Sequence, residues 1–201
     1  DRQRLHTRYV AMAYFGKRQR SLRLYSTERL AKDPNDRWGL CAEAEFTALN
    51  KDYKRAADLF GRCADKHPNY PEARIQQFRI LYLLKDKGES DPDLEPRLRR
   101  FLDEHSEDPV VLCYAVHYYA SIGNDVSRAQ AKARRATEVA PTFGLAWRTR
   151  ALISGILKER RDGLEFARRA CALDPDDYEA FRIAGSLLAE ADDMPGALKA
   201  W

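Results

Sequence analysis

Four histidines and four cysteines carry the groups in this 201-residue chain that could serve as bases, nucleophiles or soft metal ligands. Zinc chemistry needs such residues at short spacing, and a cysteine nucleophile needs a base arranged beside it. Cys41, Cys63, Cys113 and Cys171 lie far apart, with no CxxC and no histidine at ligand spacing. They read as small buried thiols, not as a zinc site or a disulfide framework. The histidines His6, His67, His105 and His117 are scattered. His67 and His105 fall at expected helix ends, where a positive partner suits exposed carbonyls. The carboxylate pairs Asp176-Asp177 and Asp192-Asp193 stand at helix starts or turns, where capping accounts for them better than acid–base work. Neither GxSxG, HExxH, GxGxxG nor a GxxxxGK phosphate loop occurs. The expectation is a chain that is not an enzyme and holds no cofactor and no metal.

Charge narrows the partner class. Residues 1–34 carry nine Lys and Arg against Asp1, Glu28 and Asp33, a net of +6, while the rest of the chain is −2. A nucleic-acid-binding domain carries a broader basic surface than this, so nucleic acid is not the expected partner. The basic start, with Arg18, Arg20 and Arg23, is expected to meet an acidic surface on a partner or neighbouring domain. The longest uncharged run, Pro109 to Asn124, has 16 residues and contains His117, too short and too polar to span a membrane. No signal-peptide pattern opens the chain, and a cytoplasmic location is expected. Beginning at Asp1 and ending at Trp201 inside a periodic pattern, the sequence reads as a piece of a longer protein.

The elements that would position any site repeat. Pro34, Pro68, Pro109, Pro141 and Pro175 each follow a polar or helix-ending stretch, at spacings of 34, 41, 32 and 34 residues. The surplus of seven in the second interval falls in the polar segment Lys85–Pro96, expected to be a mobile projection outside the core. Between prolines the apolar residues follow a helical rhythm, broken once by a short turn such as Asn50-Lys51-Asp52, Gly123-Asn124-Asp125 or Glu159-Arg160-Arg161. No stretch alternates with period two, which excludes a β fold. The unit is a pair of antiparallel helices occurring six times, at about 1–34, 35–68, 69–109, 110–141, 142–175 and 176–201, the last one truncated.

These residues resemble the tetratricopeptide repeat (TPR) family, whose period is 34 residues. The second repeat matches through Leu40, Ala44, Ala56, Phe60 and Pro68, and the fifth through Trp147, Ala151, Gly163, Ala170 and Pro175. The sixth matches through Phe181, Gly185, Ala197 and Trp201, and the fourth through Gly123, Ala129, Ala136 and Pro141. The first (Tyr9, Val10, Ala13, Leu22) and third (Phe78, Leu81, Phe101) diverge. The resemblance implies an all-α, right-handed α-solenoid of about six helical hairpins over the whole chain, serving as a protein-interaction scaffold. It also implies that the first helix of each hairpin lines a concave groove where a partner helix or peptide lies.

By register, that groove is expected to present Trp38, Arg79, Tyr82, His117, Arg148 and Arg182, with Tyr114 as a further polar tip beside His117. The uncharged first helix of the fourth repeat is expected to be shielded on several faces, part of it as groove floor. The family's chaperone carboxylate clamp is disfavoured: Cys41 and Glu45, Ile75 and Arg79, Cys113 and His117 stand where its Lys and Asn residues would be. RNA binding by related hairpin repeats is weakened by the near-neutral repeats two to six and the absence of a regular base-reading pair. The alternative function is an accessory interaction segment of a multidomain enzyme whose catalytic domain lies outside this chain.

Overall fold

The structure, a computed structural model, describes residues 19–89 and 91–190. Among them are ten α-helices and no strand: α1 Gln19–Lys32, α2 Arg37–Leu49, α3 Tyr53–Lys66, α4 Pro71–Asp86, α5 Leu94–Glu104, α6 Pro109–Ser121, α7 Val126–Val139, α8 Gly144–Ile156, α9 Arg160–Leu173 and α10 Tyr178–Glu190. Tyr9, Val10, Ala13, Arg18, Asp192-Asp193, Ala197 and Trp201, on which parts of the first and sixth repeats rest, lie outside the described residues.

Acidic residues start many of these helices. Asp36 accepts from Gly39 N at 2.7 Å, Asp108 from Val110 N at 2.8 Å and Asp125 from Arg128 N at 2.9 Å. Each satisfies an amide that the first turn leaves without a carbonyl. The repeat prolines do two jobs. Pro34, Pro68, Pro141 and Pro175 follow the ends of α1, α3, α7 and α9, whereas Pro109 is itself the first residue of α6, where its missing N–H costs nothing.

Three hairpin turns each hold a residue in the left-handed region. Lys51, Asn124 and Lys158 have φ of 65°, 46° and 62°, and the residue after each returns its N–H to a carbonyl in the last turn of the first helix: Asp52 to Thr47, Asp125 to Tyr119, Glu159 to Ser154. Gly88 (φ 88°) begins a fourth turn of this kind, with Glu89 N bonded to Leu84 O. The surplus of the third repeat is thereby located. Three of its seven residues lengthen α4, which has 16 residues where α2 has 13; the other four separate Glu89 from Leu94.

The segment expected to project, Lys85–Pro96, is exposed over Lys85–Glu89 and at Pro92, Asp93 and Pro96, and a few contacts tie it to its neighbours. Leu94 is buried, Tyr82 Oη donates to Glu95 Oε2 at 2.6 Å, Lys54 pairs with Glu89 at 3.0 Å, and Lys87 sits over the Tyr53 ring.

The helices gather into two compact units, Asp1–Arg99 and Arg100–Trp201. In the first, α1 packs on α2, α2 on α3 and α3 on α4, around Leu40, Ala44, Ala56, Phe60 and Cys63. In the second, consecutive helices from α6 to α10 pack in turn, and the first helix α8 also touches the first helices on either side of it, α6 and α10. Close approach rests on small residues: Ala44, Ala56 and Ala151 are fully buried, and Gly185 is buried in α10, as the repeat pattern predicts.

Candidate functional site

The side-by-side helices α6, α8 and α10 build a cavity in the second unit, with a volume of about 240 Å³. It is lined by His117 from α6, by Arg148, Thr149 and Leu152 from α8, and by Glu179, Arg182 and Ile183 from α10. Residues three and four apart on a helix share a face, so α8 and α10 each contribute one short stripe, and α6 adds His117. Three of the sequence-predicted groove residues, His117, Arg148 and Arg182, are brought together here. Arg148 and Arg182 stand one 34-residue period apart and occupy the same place on adjacent first helices.

Leu152 and Ile183 supply the apolar part of the lining, and the charges around it are paired. Arg148 Nη1 donates to Asp177 Oδ1 at 2.7 Å, with the carboxylate side chain only 10% exposed. The same oxygen accepts from Glu179 N at 3.1 Å and Ala180 N at 3.3 Å. Arg182 Nε donates to Glu179 Oε2 at 2.8 Å. Thr149 is buried and donates back to Leu145 O at 2.7 Å. Burial pushes the neighbouring Cys113 thiol up to about 11, against smaller opposing effects of Thr149 and the Arg148 charge; it is a packing residue, not a nucleophile. The arrangement is suited to an apolar side chain flanked by hydrogen-bonding groups, and it lacks the net charge that would suit a polyanion.

The uncharged helix α6 is shielded as expected, with Val111, Leu112, Cys113, Ala115, Val116, Tyr118 and Tyr119 all buried. Much of that shielding is packing, since within the helix only His117 and Ser121 are exposed and Tyr114 is half-buried. The remaining predicted residues belong to the first unit. Trp38 is buried, edge-on to Tyr70 with ring centroids 5.6 Å apart, and the Arg37 guanidinium lies over both rings, 4.3 and 4.7 Å from their centroids. Tyr82 is buried with its hydroxyl on Glu95. Arg79 is exposed and donates to Gln76 Oε1 at 3.2 Å. In the basic cluster Arg20 and Arg23 are exposed on α1, with Arg23 over the Phe46 ring; Arg18 lies outside the described residues.

Sequence reasoning missed two relationships. Asp177 reads as a cap in the sequence, but it also holds an arginine 29 residues earlier. Cys41 and Cys63, 22 residues apart, meet with their sulfurs 3.4 Å from one another. The available signal for each is the helical register, which places residues of facing helices opposite one another only once the turn length is known. Among the described residues no group of three or more His, Cys, Asp or Glu could hold a metal ion, and no helix is long and apolar enough to cross a membrane.

No family model matches the sequence, and no curated protein does either. Solved structures do match. Yeast Tom70 aligns with a TM-score of 0.71 at 16% identity, over 96% of this chain and 41% of its own. Human IFIT1, solved as a dimer with m7Gppp-AAAA, aligns with a TM-score of 0.68 at 16% identity, over 92% of this chain and 46% of its own. TTC0263, a thermophilic TPR protein of Thermus thermophilus, aligns with a TM-score of 0.63 at 18% identity, over 82% of this chain and 87% of its own. The chain thus spans less than half the length of the Tom70 and IFIT1 chains it matches. Its all-α helical hairpins have the TPR-like fold of solenoid repeat proteins.

Proposed function

We propose that this chain is a protein-interaction scaffold that seats a partner helix or extended peptide across the first helices of its repeats, with the cavity between α6, α8 and α10 as the anchor point. The observation that carries this reading is the convergence of His117, Arg148 and Arg182 around Leu152 and Ile183. An apolar anchor in such a pocket, ringed by aromatic or arginine residues, supplies most of the binding energy of a typical interface. Arg148 and Arg182 each have N–H groups beyond those spent on Asp177 and Glu179, free to donate to main-chain or side-chain oxygens of the partner. In the first unit, Arg79 is the exposed residue of the corresponding first-helix register, while Trp38 and Tyr82 support it from within the fold.

A nucleic acid is the rival ligand class, because IFIT1, a neighbour in fold, is solved with m7Gppp-AAAA. The carboxylates on both cavity arginines count against it, since phosphate binding draws on uncompensated cations. The test is to recover partners with the intact protein, measure affinity by calorimetry, and repeat with Arg148→Ala, Leu152→Ala and His117→Ala. A loss of at least about tenfold in two of the three supports the reading. Affinity within twofold of wild type for all three, or tighter binding of a single-stranded oligonucleotide than of any recovered protein, would overturn it.

A further inference from the structure

The thiols of Cys41 and Cys63 face each other across the α2–α3 hairpin, with Sγ to Sγ 3.4 Å. Both are buried, at 4% and 0% exposure, and both are free. The separation is that of sulfurs in van der Waals contact. A disulfide needs about 2.05 Å between sulfurs, so closure shortens the gap by only about 1.4 Å, within reach of modest side-chain rotation. We propose that Cys41 and Cys63 form a modification site: a thiol pair that closes to a disulfide joining α2 to α3 by exchange with a small-molecule disulfide of the glutathione class.

The surroundings assign the order of events. Cys63 is held below the ordinary thiol value by the hydrogen bond from Cys41, against the effect of burial, and the Arg37 charge adds to the lowering. Cys41 is held above it by the same bond and by burial, with Glu45 and Glu72 nearby. Cys63 is thus the more readily ionised of the two: its thiol, which also faces Arg37 O at 3.6 Å, gives up its proton to become the thiolate that attacks disulfides. Cys63 Sγ attacks one sulfur of the small disulfide, which breaks and leaves as a thiolate that takes up a proton. Cys41 gives up its proton and attacks Cys63 Sγ, releasing the second small thiol. Two protein thiols are oxidised and one disulfide is reduced to two thiols. Cys113 and Cys171, in the second unit, serve as internal controls.

The experiment equilibrates the chain across a series of reduced-to-oxidised glutathione ratios, in enough urea to loosen the hairpin without unfolding it. Acid quenching, alkylation, digestion and mass spectrometry follow. Cys41 and Cys63 should leave the alkylated pool together as one cross-linked peptide, while Cys113 and Cys171 remain alkylated. The midpoint should require at least about tenfold less oxidised glutathione than the same chain does in fully denaturing urea, because the fold holds the sulfurs in contact. In Cys41→Ser, Cys63 should stop at the mixed disulfide. Four alkylated thiols throughout, a wild-type mixed disulfide that never resolves, a bond to Cys113 or Cys171, or equal midpoints in folded and denatured chains would each overturn the proposal. The wild-type map alone decides it if the variant does not fold.

Discussion

One oxygen of Asp177 binds two helices: Oδ1 accepts from Arg148 Nη1 of α8 and from the first amides of α10. The carboxylate thus fixes the start of α10 and the arginine beside the cavity with a single group. Asp177→Ala removes the cap and leaves Arg148 unpaired, and is expected to cost about 2 kcal/mol. Asn keeps the cap but not the charge, so Asp177→Asn should cost roughly half as much. Arg148→Ala alone should cost less than about 1 kcal/mol, since its side chain retains 26% exposure. Urea unfolding of the singles and of the double with Asp177→Ala gives the coupling. A value near zero would show that the two groups act independently.

The first unit contains the counterpart at Asp36, which caps α2 through Gly39 N and takes two bonds from Arg29, Nε to Oδ1 at 2.5 Å and Nη2 to Oδ2 at 2.8 Å. The Arg29 hydrogen bonds hold the Asp36 carboxyl below its usual range. A depressed folded value means the stabilisation is fully present above the unfolded value, about 3.9, and is lost as pH falls through the folded one. Thermal melting should therefore drop between about pH 5 and pH 2 more steeply in wild type than in Asp36→Asn. Parallel curves would remove Asp36 as the cause.

Two glycines of the second unit should respond oppositely to alanine. A Cβ on Gly163 of α9 would meet Leu187 Cδ1 at 3.2 Å, Ser154 Cβ at 3.3 Å and Ala151 O at 3.5 Å. Leucine can yield, but Ser154 Cβ and the Ala151 carbonyl are fixed to α8. Gly163→Ala is expected to lower stability by about 1–3 kcal/mol despite its better helix propensity. On Gly155 of α8 a Cβ meets only Leu187 Cδ2 at 3.5 Å, an ordinary contact. Gly155→Ala should raise stability by about 0.5–1 kcal/mol. Denaturant midpoints of the two variants check the pair; equal shifts in the same direction would contradict it.

What the sequence made legible follows from periodicity. The proline spacing and the small residues Ala44, Ala56, Ala151 and Gly163 reveal the hairpins because close helix packing recurs at every repeat. Arg148 and Arg182 were found because they lie one period apart on first helices. Asp177's second partner and the Cys41–Cys63 contact were hidden, since each depends on how two particular helices face one another, which no local pattern encodes. Pro109 misled about a boundary because proline suits the position after a helix and its first turn equally well. The exposure of Lys85–Glu89 was legible in its polar composition, whereas the burial of Leu94 and the contacts to the Tyr53 and Tyr82 rings were not.

The hairpin turns give the last prediction. Lys158 and Lys51 occupy the left-handed region, with φ of 62° and 65°, where a Cβ crowds the following carbonyl at a cost of roughly 1 kcal/mol. Both side chains are exposed, so removing them sacrifices little packing. Lys158→Gly should relieve the crowding and, after the entropy cost of glycine, stabilise the second unit by roughly 0.5 kcal/mol. Gly88 meets the same requirement with φ 88°, and a Cβ there would touch nothing within 4 Å. Gly88→Ala should therefore destabilise by about 1 kcal/mol through backbone conformation alone. Thermal melts of both variants decide it: opposite signs mean that the turns at Lys158 and Gly88 share one left-handed geometry, and a neutral Gly88→Ala means that the turn at Gly88 relaxes to another.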